Sequence, residues 1–206
     1  MSLEEDLAII VPLTVGSMGT LWEGGEPLMG SCLNAGFIGG SACTGNRGPV
    51  VDMLQFVGIG ELVIAKAPVR LLTVLGSCVA VCLWSPSGKV GGMNHYLLPY
   101  AIDEVKGLQY GSVSLPYLIT AMRKAAGSTT QLRAVVVGGA SLFSTSDKLA
   151  SGNVEVAIEQ LGRLQIPVQH SDVGGRNARR VVFDLASGAI QVSHIKIDSL
   201  GDPPRN

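Results

Sequence analysis

Residues 73–84, TVLGSCVAVCLW, carry no charge and hold two of the chain's four cysteines; a histidine follows Cys78 seventeen residues on, in VGGMNHYLL. A free thiol, with a pKa of about 8.5, is mostly protonated at neutral pH, and an adjacent imidazole that takes its proton makes it a nucleophile. Cys78 and His95 are therefore a candidate nucleophile and base. A third group is needed to hold the imidazole in one tautomer, and Thr73 or a backbone carbonyl is the candidate near the pair. Gly76 and Ser77, just before the cysteine, allow close approach of a substrate. Their backbone N–H groups are placed to face a developing oxyanion, one such donor being worth about 3 kcal/mol of barrier.

The elements that must bring thiol and imidazole together are two strands, VAVCLW and VGGMNHYLL, joined by a polar Ser85-Pro86-Ser87-Gly88 turn. Pairing Trp84 with Val90 sets Cys78 opposite Tyr96, one position from His95. A one-residue bulge or a slightly tighter turn sets Cys78 against His95 itself, with Cβ atoms about 5 Å apart. Parity is what matters, because a slip of one residue sends a side chain to the other face. Taken singly, a free cysteine is usually a small buried hydrophobe and a lone histidine a structural one; only the pairing raises them above that. Cys82, four positions from Cys78 on the same strand face, lies ~13 Å away at the rise of a strand, too far for a shared metal or a disulfide. Packing is its expected role. Cys32 and Cys43 have no histidine at a comparable distance, so Gly30-Ser31-Cys32 reads as a coincidental echo. His170 and His194 have no acid or thiol partner nearby in sequence and read as structural or exposed.

The remainder of the 206 residues sets the context. Four cysteines are too sparse for a disulfide framework, and the opening MSLEED shows no cationic leader, so reduced thiols in the cytoplasm are expected. The uncharged stretches 27–46 and 71–88 are broken by Gly, Asn, Ser or Pro, so no membrane-inserting span is expected. Net charge is −5 over residues 1–55 and +4 over residues 56–206. The bases are scattered, with only Arg176, Arg179 and Arg180 clustered, which disfavours nucleic acid as a partner. Residues 1–55 show no period and read as an irregular Gly-rich extension, with Met53 an alternative start. Residues 56–206 read as the folded domain. Leu115, Leu118, Ile119 and Met122 repeat at helical spacing up to Gly127, and Val154, Ile158 and Leu161 mark a second helix over 153–164. Strands fill the rest, ending in a hairpin closed by Ser187-Gly188. Two main helices against many strands give an α+β fold, a layered α/β sandwich of mixed, largely antiparallel sheets.

LGSCVAVCLW followed by GGMNHYLLP resembles the chemoreceptor glutamine deamidases, the CheD family. VGIGE at 57–61, VVVGGASLF at 135–143, SGNVE at 151–155, IPVQHSDVGG at 166–175 and ARRVVF at 178–183 fit in the same order. The resemblance implies hydrolysis of glutamine side chains to glutamate on the cytoplasmic helices of methyl-accepting chemotaxis receptors. It also implies a fold like that of toxin deamidases. The family's nucleophile falls on Cys78, its histidine on His95 and its threonine on Thr73; no cofactor or metal is implied. Gly76, Ser77, Asn94, Gly139 and Ser141 are the expected substrate-binding positions. For Gly138 to Ser141 a plain strand exit is an equal reading. A CheC phosphatase is a further partner the resemblance implies for some members, and a non-catalytic module that binds CheC or receptor tails is the alternative.

Overall fold

Why residues 73–84 lack charge is evident from where they lie: the strand they lead into is central and covered on both faces. The computed structural model describes residues 9–10, 53–85, 90–102, 107–127, 131–142 and 147–196. In chain order these form β1 (Ile9–Ile10), β2 (Met53–Phe56), β3 (Glu61–Lys66), β4 (Val69–Leu75), β5 (Val79–Ser85), β6 (Val90–His95), α1 (Gly111–Ala126), β7 (Arg133–Gly138), α2 (Asp147–Arg163), β8 (Val168–Val173), β9 (Ala178–Asp184) and β10 (Ile190–Ile195). One sheet runs β1-β3-β6-β5-β7-β8 and the other β10-β9-β4-β2. All neighbours are antiparallel except β2 with β4 and β7 with β8, so the sheets are mixed and largely antiparallel, as the sequence implies.

Alternation along each strand sorts its side chains into two cores. Leu62 and Ile64 of β3, with Val79, Val81 and Leu83 of β5, pack under the helices against Leu115, Leu118 and Leu161. Val63 and Ala65 of β3, with Ala80 and Cys82 of β5, turn the other way and meet Leu71, Leu75, Val181 and Phe183 of the second sheet. The order of layers is therefore helices, six-stranded sheet, four-stranded sheet. The deeply buried side chains on the α1 stripe contribute about 2 kcal/mol each in burial.

Both helices begin earlier than the periodicity predicts. The first N–H groups of α1 need acceptors, and the carbonyls of Leu98 and Pro99 supply them to Gly111 and Ser112 at 2.7 and 2.8 Å, with no capping side chain. In α2 the buried stripe runs through Ala150, Asn153, Val156, Ala157 and Leu161, while Ile158 is exposed. A reading by hydrophobicity passes over Ala150 and Asn153 and so starts the helix late. Within the stretch expected to be irregular, Ile9–Ile10 pairs with β3 and Met53–Phe56 lies parallel to β4, both too short to show a period. Cys32, Cys43 and the rest of residues 11–52 lie outside the described residues.

Candidate active site

The register of β5 on β6 decides whether thiol and imidazole share a face. The pairs are Ser85↔Val90, Trp84↔Gly91, Leu83↔Gly92 and Cys82↔Met93, and the Val79↔Tyr96 bridge keeps the same register. Trp84 thus faces Gly91 rather than Val90, one residue from the pairing drawn from the sequence. His95 falls opposite Ala80 and Leu97 opposite Cys78. Cys78 and His95 are diagonal neighbours on one face, with no bulge required, and neither stands directly across from the other. That face looks onto the second sheet.

The second sheet supplies Thr73, fully buried on β4, whose Oγ1 lies 2.9 Å from His95 Nδ1. The same hydroxyl donates to the Val57 carbonyl at 2.7 Å, and Nδ1 lies 3.3 Å from that carbonyl too. A carbonyl oxygen only accepts, and the one hydroxyl proton of Thr73 is committed to it. Nδ1 must therefore carry a proton and donate it, which leaves the lone pair of the neutral ring on Nε2. Nε2 is buried and has no hydrogen-bond partner among the described residues. The arrangement holds an imidazole with its basic nitrogen free.

Around Cys78 four successive carbonyls are held in place. Gly76 O accepts from Ala140 N (2.9 Å), Cys78 O from Gly139 N (2.8 Å) and Val79 O from Tyr96 N (3.0 Å). Ser77 O accepts from the Asn153 side chain at 3.0 Å. Burial pushes the Cys78 thiol above its ordinary range, outweighing its own backbone N–H, which favours the thiolate. Burial likewise pulls His95 below the usual histidine value, against the Val57 carbonyl and the Glu61 charge, which pull it up. Both shifts favour the uncharged form of the group.

Three relatives put this geometry in a family setting. "Probable chemoreceptor glutamine deamidase CheD 1" of Anaeromyxobacter dehalogenans is 38% identical over 143 residues, 68% of this chain and 84% of its own. Similarly named proteins of Desulfitobacterium hafniense and Rhodospirillum rubrum are each 38% identical, over 147 and 156 residues, covering 92% and 89% of the relatives and 68% and 72% of this chain. A family model described as CheD chemotactic sensory transduction matches residues 97–194. The chain belongs to the CheD family. The match to the CheD model begins after Cys78 and His95, so the grouping of these side chains rests on the geometry above.

Of the positions expected to form the site in this CheD chain, the structure gathers Thr73 and His95 in direct contact, with Cys78 on the same face. Gly76 and Ser77 lead into the cysteine, and Gly139 backs onto it. Ser141 is half-buried and its N–H is taken by Gly175 O at 2.8 Å. Asn94 is not brought to the site. It alternates to the helix side, where its Oδ1 accepts from Val81 N at 2.8 Å and its Nδ2 donates to Ser114 Oγ at 3.0 Å. His194 does have an acid partner, Asp172 Oδ2 at 2.8 Å, itself bonded to Arg179 Nε at 2.9 Å. That network borders a cavity of about 420 Å³ between β8 and β10, lined by His170, Asp172 and Val192 among others and apart from Cys78.

Residue-type reasoning missed Val57, which acts through its carbonyl, and Glu61, which faces His95 across β3 and β6. Both lie in VGIGE. Glu61 Oε2 accepts from Gly58 N at 2.8 Å and so fixes the turn that presents the Val57 carbonyl. Glu61→Gln keeps an acceptor but removes the charge that raises the His95 pKa. If activity requires neutral His95, its acid limb lies below the ordinary histidine value of about 6.5, and in Glu61→Gln a rate–pH profile should show that limb at still lower pH. The same depressed pKa makes folding proton-linked. The unfolded chain binds the extra proton first, so the stability from neutral His95 is present above the unfolded value and is lost as pH falls toward the folded one.

Proposed function

We propose that this chain is a protein-glutamine deamidase that acts on chemoreceptor helices in the cytoplasm, with Cys78 as nucleophile and His95 as base. The observation that carries the reading is the free lone pair on Nε2, fixed by Thr73 and the Val57 carbonyl on the face that Cys78 shares. The names of the relatives supply the substrate class.

The thiol and imidazole start neutral, so His95 acts as a general base when a carboxamide enters, rather than as half of a standing ion pair. Sulfur attacks the amide carbon as its proton passes to Nε2, and negative charge develops on the amide oxygen. The backbone N–H of Cys78 is the donor assigned to that oxygen. Collapse expels the nitrogen, protonated by His95, as ammonia and leaves a thioester. Water, deprotonated by the same ring, attacks the thioester, and the products are a glutamate side chain and free thiol. Every proton is carried by His95, so the residues in place complete the cycle.

The test is to incubate the chain with a chemoreceptor cytoplasmic fragment and follow ammonia together with the mass change of its glutamine peptides. Amide-to-acid conversion at discrete glutamines, with free glutamine turned over much more slowly, is expected. Ammonia without any change in the receptor, or free glutamine as the better substrate, would refute the receptor assignment.

A further inference from the structure

We infer that Asn153, on α2, is a positioning residue that holds Cys78 and His95 in register; the inference rests on the deamidase reading of that pair. Past the Val79↔Tyr96 bridge the β5–β6 ladder stops, because the N–H groups of both Leu97 and Leu98 turn to Gln109 O at 2.9 Å. Asn153 takes over at that point. Its Nδ2 donates to Ser77 O at 3.0 Å and to Leu97 O at 2.8 Å, joining the residue before Cys78 to the residue opposite it. Its own backbone carbonyl accepts from Tyr96 Oη, next to His95, at 2.6 Å.

The side chain is fully buried, and its Oδ1 has no partner among the described residues. Asparagine is a mediocre helix former, and a buried amide with one unpaired oxygen is costly. What the position gains is two N–H donors on one atom, both spent on carbonyls of the two catalytic segments. Only an amide of this length supplies both. Aspartate has the same shape and no N–H, so Asn153→Asp sets a carboxylate against two carbonyl oxygens. As pH falls the buried acid takes up a proton and regains one donor. That gives a signature which lost packing does not.

The experiment compares wild type, Asn153→Asp and Asn153→Ala in steady-state deamidation of a receptor fragment across pH, with iodoacetamide alkylation of Cys78 followed by mass spectrometry. We expect kcat to fall about tenfold to a hundredfold in both variants, with KM within about twofold of wild type. The ratio of Asn153→Asp to wild-type rate should climb as pH is lowered, and the Asn153→Ala ratio should stay flat. Alkylation of Cys78, whose pKa is raised chiefly by burial, should quicken several-fold in both variants while that of Cys82 stays slow. If Asn153→Asp does not fold, Asn153→Ser, which keeps one donor, should show the intermediate kcat. Wild-type kcat in a folded Asn153→Asp chain, or a deficit with no pH-dependent recovery, overturns the inference and leaves the deamidase reading standing. Quickened alkylation in a chain whose wild type deamidates nothing supports the clamp and sinks the enzyme reading instead.

Discussion

Cys78→Ala should fold like wild type and release ammonia from a receptor fragment at least about a thousandfold more slowly, the scale on which loss of a nucleophile acts. No other thiol among the described residues can replace it. Cys82 points into the same layer, but it is 1% exposed, sits opposite Met93, and burial pushes its pKa up to about 12. Its sulfur is buried and protonated at neutral pH. Removing the sulfur from a site that is 7% exposed should cost stability by about 1 kcal/mol, so melting temperature separates a chemical loss from a folding loss. Because Nε2 of His95 stays in place in this variant, any rate that survives measures what the imidazole and the backbone donors achieve with water alone. Ammonia release at the wild-type rate would mean that the sulfur does not attack, and the reaction would have to be sought elsewhere on the chain.

How much of this was legible beforehand follows from which physical rules act locally. The strand before the turn and the strand after it are visible as uncharged apolar runs, and so is the α1 stripe. Cys78 and His95 were visible as a candidate pair from their spacing. Their register was not, since that depends on where Ser85 meets Val90, and the linking residues 86–89 lie outside the described set. The offset of one residue was nonetheless enough to reverse parity, turning an expected direct opposition that needed a bulge into a diagonal placement on one face that needs none. Asn94 was misplaced for the same reason in small: adjacent to His95 in sequence, it occupies the opposite face of β6. Thr73 could be named as a candidate from proximity in sequence, but its contact with His95 crosses from one sheet to the other, and nothing local records how two sheets stack. The Val57 carbonyl is beyond any reading by residue type, since every residue has one. Asn153 shows the limit differently, because it looked like a helix start and is instead a buried residue within the helix, chosen for its donors.

Gly138→Ala should be the most damaging single-methyl change in the described chain, costing at least about 3 kcal/mol by the combination of backbone strain and overlap. Gly138 ends β7 at φ +120°, a conformation side chains avoid, and an added Cβ would lie 2.2 Å from the Cys78 carbonyl oxygen and 3.1 Å from Val79 Cα. Neither neighbour is a flexible side-chain end; both are backbone of the segment that carries Cys78. That segment has nowhere to retreat, since Cys78 O is bonded to Gly139 N at 2.8 Å and Val79 is paired on its other side with Tyr96. Two comparison variants separate the causes. At Gly174, φ +76° with nothing within 4 Å, alanine meets strain without overlap and should cost about 1 kcal/mol. At Gly162, in α2 with open space around it, alanine should stabilise by up to about 1 kcal/mol. Thermal melts of the three variants should therefore fall in the order Gly162, Gly174, Gly138. Whatever Gly138→Ala protein can be recovered folded should also be slow, because the only way to admit the methyl is to push the Cys78 backbone away from β7 and so move its sulfur relative to Nε2. A Gly138→Ala chain that melts with the Gly174 variant and keeps its rate would show that Cys78 is not held against β7 in solution, and the rigid seating of its sulfur would have to be given up.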